Sequence, residues 1–238
     1  MVYYIQEGDI FKIPQIKNYA HGCNCSGAMG KGIALLFREK FPLMYKQYKE
    51  LCKEGKFKTG GVFCYRYEHG VVFNLGTQES WKEKAQYEYI EASLLKMMEI
   101  AQNNDIREIV MPAVGAGLGG TSWDLTKRII NKVANNNPSV DLYCIEHYKD
   151  IEIEITYVKK QWAEENVVYY IQFIGDDAIR QVEKYPDRTI YLSTANPVYE
   201  DSILYDQGLQ LIKSSLSSKN YITKDDFKKV WKPANQGR

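Results

Sequence analysis

Apolar positions along the chain alternate between two spacings, and the alternation predicts its elements. Residues 1–5 and 10–13 are short apolar runs on either side of Gly8 and predict two strands. Ile33, Leu36, Phe37 and Phe41 follow at i, i+3, i+4 and i+8, the stripe of a helix that packs one face on a sheet. A second helix is predicted over 43–54, with Met44, Tyr48, Leu51 and Cys52 on one face and Gly60-Gly61 as its stop. Residues 62–65 and 71–73 read as strands joined through His69-Gly70. Over 86–102, Ile90, Leu94, Met97 and Ala101 form a helical stripe better explained as core than as a binding face. Ile109-Val110-Met111 is a strand, Thr121-x-x-Asp124 a capping-box signal for the helix bearing Leu125, Ile129 and Val133, and residues 140–145 a further strand. Strands alternating with helices predict a three-layer α/β/α domain over residues 1–148.

After Tyr148 the pattern changes. Ile151, Ile153, Ile155 and Tyr157 alternate with polar residues, as do parts of 167–173, which predicts two strands separated by the polar segment 159–166. Residues 176–185 read as a helix, 189–193 as a strand, 202–216 as a helix and 221–231 as a short helix capped by Thr223. Residues 149–238 therefore form a smaller C-terminal α+β region. No glycine-rich linker precedes it, and the chain has no internal repeat.

Composition narrows the functional classes. With 31 Lys and Arg against 30 Asp and Glu, the net charge of +1 supplies no overall field for nucleic acid or an acidic membrane surface. No apolar run approaches a membrane span, and residues 1–7 lack the basic-then-apolar order of a signal peptide, so the chain reads as cytoplasmic without a membrane partner. Five cysteines without disulfide-like spacing suit a reducing compartment. His21-x-Cys23-x-Cys25 raises a zinc question, but only His69 and His147 remain to add imidazole, and no metal is expected.

Two glycine loops carry the candidate chemistry. Pro112-Ala113-Val114-Gly115-Ala116-Gly117-Leu118-Gly119-Gly120 lies between a strand and a helix. In that place backbone N–H groups and a helix N-terminus face a ligand, and glycines leave room for an anion, most simply a diphosphate. A glycine cluster also makes tight turns. The stretch 21–33, with Cys23-Asn24-Cys25 and Gly30-Lys31-Gly32-Ile33, has the same strand, loop, helix order. Two such units can bring both loops to one edge of a parallel sheet. Neither loop has the Gly-Lys-Ser/Thr ending of a P-loop or the acidic residue of a dinucleotide fingerprint.

Gly8-Asp9-Ile10, the loop from His21 to Ile33, Asn74-Leu75-Gly76-Thr77-Gln78, and the stretch from Pro112 to Gly120 followed by Trp123 together resemble the macrodomains that bind ADP-ribose. Within them the likeness is to terminal ADP-ribose protein glycohydrolases, DNA-de-ADP-ribosylating antitoxins and ADP-ribose-1''-phosphate phosphatases. It covers roughly residues 1–147 and implies a macrodomain with a mixed central sheet. It also implies a hydrolase acting on ADP-ribose-1''-phosphate or ADP-ribosyl adducts, with no cofactor. The alternatives are a non-catalytic reader of ADP-ribose or of ADP-ribosylated protein or nucleic acid, and an antitoxin-like protein whose residues 149–238 hold a protein partner.

The resemblance assigns adenine to Asp9 and Ile10, and the diphosphate and distal ribose to Pro112, Gly115, Ala116, Gly117, Leu118, Gly119 and Gly120. Gly30, Gly32 and Ile33 form the opposite wall, and Thr77 and Gln78 stand at the end of a strand. His21 and Asn24 are the catalytic candidates. His21 is either an acid or base near the ribose or a satisfied buried histidine. Two departures bear on mechanism. The glycohydrolase and antitoxin lysine is here Gln78, and the glycohydrolase aspartate is here Gly119. A glutamine amide is not a nucleophile, so a covalent lysine route is not available.

Overall fold

A computed structural model describes residues 1–194 and 196–231. They divide into two compact units, one of residues 1–11 and 15–150, the other of residues 12–14 and the described part of 151 onward.

The first unit is built on six strands: β1 (Val2–Gly8), β2 (Tyr19–Asn24), β3 (Val62–Tyr67), β4 (Gly70–Gln78), β5 (Glu108–Pro112) and β6 (Asp141–Tyr148). Their order is β1-β6-β5-β2-β4-β3, parallel except for the antiparallel edge strand β3. Helices α1 (Gly32–Lys40), α2 (Pro42–Lys53), α3 (Tyr87–Asn103) and α4 (Trp123–Asn135) complete the α/β fold. Strand β4 is buried from Val71 to Thr77, as expected of a strand covered on both faces. On one face Ile90, Leu94, Met97 and Ala101 of α3 and Ile130 and Val133 of α4 join Phe73, Leu75, Ile109 and Met111 in one core. On the other, Phe37 of α1 meets Phe11, Tyr19 and Phe41 at ring-centroid distances of 4.9 to 6.5 Å.

Two local expectations for this unit need correction. Residues 10–13 form a turn rather than a strand, because the Asp9 carboxylate accepts the Phe11 N–H at 2.8 Å and bends the chain. The residue preceding α4 is Ser122, without a side-chain cap, while Thr121 Oγ1 is spent on Thr126 Oγ1 at 3.3 Å.

The second unit contains the antiparallel sheet β10-β9-β8-β7, from β7 (Ile155–Trp162), β8 (Val167–Ile174), β9 (Asp177–Lys184) and β10 (Thr189–Ser193). The pair β11 (Val198–Tyr199) and β12 (Ser202–Ile203), helix α5 (Leu209–Lys213), a 3-10 turn over Ser218–Asn220 and helix α6 (Lys224–Val230) follow. The segment 176–185 is thus a strand, not a helix. Gly175, at φ 59°, opens a two-residue turn that pairs Ile174 with Asp177, and the hairpin overrides the helix expected there. Residues 202–216 hold the two-residue β12 and the five-residue α5 instead of one long helix, and 159–162 extend β7. The Thr223 cap is present, its hydroxyl accepting the Asp226 N–H at 3.1 Å. The end of the C-terminal region, residues 232–238, lies outside the described residues. Among the described residues, no helix is long and apolar enough to cross a membrane.

Candidate functional site

Strand order gathers the predicted loops. β5, β2 and β4 are neighbours and parallel, so the segments after Pro112, Asn24 and Gln78 leave the same edge of the sheet. That edge, at the carboxyl ends of parallel strands, is where open α/β sheets form ligand crevices.

The loop after β5 is shaped by two glycines in the left-handed region, Gly115 at φ 77° and Gly120 at φ 69°. A side chain at Gly115 would stand 2.6 Å from Ile90 Cδ1 and 2.7 Å from Thr121 Oγ1. Thr121 N–H donates to Gly115 O at 3.0 Å and Ala85 N–H to Gly119 O at 2.9 Å. These bonds leave the N–H groups of Gly117, Leu118 and Gly119 without an acceptor among the described residues, so three main-chain donors are open to a ligand. A Cβ on Gly117 would meet nothing within 4 Å, and the same holds at Gly30 across the crevice. Gly119 is different. Its Cβ would lie 2.6 Å from Gly115 O, so the loop as built has no room for an aspartate there.

The opposite wall is the loop from β2 into α1. No side chain caps α1, so its first N–H groups face the edge of the sheet with the positive end of the helix dipole. Leu118 reaches over from the other loop, its Cδ1 3.2 Å from where a Gly32 Cβ would stand, and so brings Gly32 and Leu118 together. The Asn24 side chain ties this loop on itself. Its Oδ1 accepts from Ser26 N at 3.1 Å, Ser26 Oγ at 2.8 Å and Ala28 N at 3.1 Å, while its Nδ2 donates to Ala28 O at 2.7 Å. Tyr48 anchors the same residue by donating to Asn24 O at 2.6 Å. Both ends of the amide are therefore employed in the loop.

His21 is fully buried. Its ring stacks on Phe37 at 3.9 Å with an interplanar angle of 9°, and Nε2 is 2.9 Å from Asn74 Oδ1. Because Asn74 Nδ2 donates to Phe63 O at 3.1 Å, Oδ1 is its acceptor and His21 Nε2 carries the proton. Burial pulls the His21 pKa down to about 4, so the ring is neutral near pH 7. That environment favours the satisfied-histidine alternative over an acid or base. Burial likewise pushes the Cys23 thiol well above its ordinary range and Cys25 up to about 12, which makes both poor nucleophiles. Among the described residues, no three His, Cys, Asp or Glu side chains converge on a point that could hold a metal.

At the end of β4, Thr77 is buried and donates to Cys23 O at 3.3 Å. The Gln78 amide turns onto its own loop, Nε2 donating to Ser80 O at 3.1 Å and Glu83 O at 3.3 Å. Asp9 is buried in its turn, and the adjacent Ile10 N–H has no acceptor among the described residues. Sequence reading overlooked Lys84. Its Cγ, Cδ and Cε lie 3.4 to 3.6 Å from where a Gly120 Cβ would stand, so its stem runs along the glycine loop. Nothing in its local sequence distinguishes it from the neighbouring lysines.

The Macro domain family profile matches residues 20–130. The ADP-ribose glycohydrolase OARD1 of Bos taurus is 31% identical over 127 residues, which are 53% of this chain and 80% of that protein. The DNA ADP-ribosyl glycohydrolase of Thermus aquaticus is 30% identical over 145 residues, 58% of this chain but only 39% of the relative's length. The solved macrodomain of Thermus aquaticus DarG superposes with a TM-score of 0.57 at 29% identity, over 61% of this chain and 98% of that one.

Proposed function

The chain belongs to the macrodomain family, and from that premise we propose that its first unit binds ADP-ribose and hydrolyses a bond at the distal ribose, releasing ADP-ribose from an adduct or a 1''-phosphate. The observation that carries the binding half is the row of unengaged N–H groups at Gly117, Leu118 and Gly119, on a loop whose Leu118 reaches the uncapped start of α1 at Gly32. A diphosphate accepts such donors without a metal, and the helix dipole favours its charge. Asp9 and Ile10 stand for adenine, because a carboxylate accepts from an exocyclic amine and a neighbouring N–H donates to a ring nitrogen.

The reaction follows from what the site offers. Gln78 is not nucleophilic, and Gly119 leaves no room for the aspartate of the related glycohydrolase, so attack is by water held among main-chain groups. Neutral, buried His21 and loop-bound Asn24 hold the wall of the crevice in shape. The bound Gln78 amide also favours a second reading, a reader that retains ADP-ribose without turning it over. Titration calorimetry with ADP-ribose, followed by assays on ADP-ribose-1''-phosphate, ADP-ribosylated DNA and ADP-ribosylated protein, separates the readings. Heat of binding with turnover of one substrate supports the hydrolase, and binding with none supports the reader. No binding removes both.

Two variants probe the ends of the ligand. Asp9→Asn keeps an oxygen for the Phe11 N–H but replaces a full charge with an amide, and is expected to weaken ADP-ribose binding by about 1 to 3 kcal/mol while the protein stays folded. Unchanged calorimetric affinity would take adenine away from this position. Lys84→Gln should weaken binding by roughly threefold to tenfold and flatten its salt dependence, since the lost interaction is an exposed charge beside the phosphates. An identical salt slope in variant and wild type counts against that role.

A further inference from the structure

The second unit holds a cavity of about 480 Å³ that opens to solvent, within the size range of small-ligand sites. Strand register makes its floor. Lys160 pairs with Tyr169 and Tyr169 with Glu183, so all three stand on one face of the sheet. The segment 202–205 covers this face, held by Gln181, whose Nε2 donates to Ile203 O at 3.2 Å and whose Oε1 accepts the Tyr205 N–H at 2.8 Å.

Glu183 is only 2% exposed and yet has neutral partners alone. Gln181 Nε2 donates to its Oε1 at 2.6 Å, and Tyr185 Oη and Ser202 Oγ donate to its Oε2 at 2.9 and 2.7 Å. Among the described residues no cation pairs with it. A buried carboxylate ordinarily has a cationic partner, because neutral donors offset only part of the desolvation. Oε1, with a single donor, has room for one more. The lining adds Glu165, Asp201 and Asp206 but only one basic residue, Lys160, whose Nζ is directed to Ser215 Oγ at 2.9 Å. The aromatic walls are Trp162, Tyr169, Tyr185 and Tyr205. Two of these rings already attract cations of the chain itself, Lys160 over Trp162 at 5.2 Å and Arg188 over Tyr185 at 4.8 Å.

We propose that this cavity binds an organic cation, an ammonium or guanidinium on an apolar stem, with its charged head at Glu183 Oε1 and its stem against the aromatic walls. Carboxylates on the floor and rim repel phosphates, so the ligand differs in kind from that of the glycine-loop crevice. A basic side chain of a peptide and a free polyamine share this chemistry.

The test uses the full chain at low salt with spermidine, the peptide Ac-Gly-Lys-Lys-Gly-NH2 and the same peptide acetylated on both lysines, followed by calorimetry and by the Trp162 indole N–H signal. Spermidine or the lysyl peptide is expected to bind with a Kd of about 1 mM or tighter, to shift the Trp162 signal, and to lose about tenfold or more in Glu183→Gln. Binding of only one identifies the source as free amine or peptide. The acetylated peptide should not bind. Trp162→Ala, at a half-exposed position, provides a second variant should Glu183→Gln fail to fold, and is expected to weaken binding severalfold. The proposal is overturned if neither cation binds the folded wild type, if the acetylated peptide binds as well as the charged one, or if a folded variant retains full affinity.

Discussion

Gly117→Val is expected to remove ADP-ribose binding, lowering affinity by about a hundredfold or more, with little change in thermal midpoint. The added Cβ meets nothing in the protein within 4 Å, and Gly117 is not among the glycines in the left-handed region, so the folded chain tolerates the substitution. The space it fills is the approach to the N–H groups of Gly117, Leu118 and Gly119. A branched side chain there keeps an anion beyond hydrogen-bond reach, and a donor at 5 Å is worth almost nothing. Gly115→Val is the contrasting variant. Its side chain would collide with Ile90 and Thr121 at a left-handed φ, so binding and stability should fall together. Calorimetry paired with melting curves distinguishes the two. A folded Gly117→Val protein with wild-type affinity would place the anion site elsewhere.

His21→Ala is expected to destabilise the protein by about 3 to 5 kcal/mol, the range for truncating a buried ring, and to leave kcat of the folded fraction within about threefold of wild type. The substitution empties the space against Phe37 and strips Asn74 Oδ1 of its donor. An acid or base would give the opposite split, about a hundredfold or more in kcat with modest loss of stability. The pH dependence gives an independent reading. The folded pKa of about 4 lies below the unfolded value near 6.5, so below that value the unfolded chain takes up the proton first. This contribution is complete above pH 6.5 and declines as pH falls toward 4. Between pH 7 and 5 it amounts to about 2 kcal/mol, and the decline should vanish in His21→Phe. Urea denaturation at several pH values measures both. Equal slopes in wild type and His21→Phe would mean that the histidine is not held neutral by the fold.

Much of the first unit was legible in the sequence because its signals are local. The positions Ile90, Leu94, Met97 and Ala101 are helical and fully buried, and the order of strand, glycine loop and helix by itself places two loops at carboxyl ends of strands. The departures at Gln78 and Gly119 could be read from residue identity alone. Tertiary structure decided what depends on partners distant in the chain. It engaged Asn24 within its own loop, stacked His21 on Phe37 and set Asn74 beside it from the neighbouring strand, contacts that residue types alone do not give. It also ran Lys84 along Gly120, a contact set by how the loops after β4 and β5 meet. In the second unit residues 176–185 read as a helix, but pairing on both sides made β9 a strand, since hydrogen bonds to β8 and β10 outweigh a weak local preference. That register set Glu183 beside Tyr169, and hydrogen bonds from the segment 202–205 to Gln181 and Glu183 brought Ser202 and Tyr205 to the same place, a juxtaposition that no single stretch of sequence contains because it depends on partners distant in the chain.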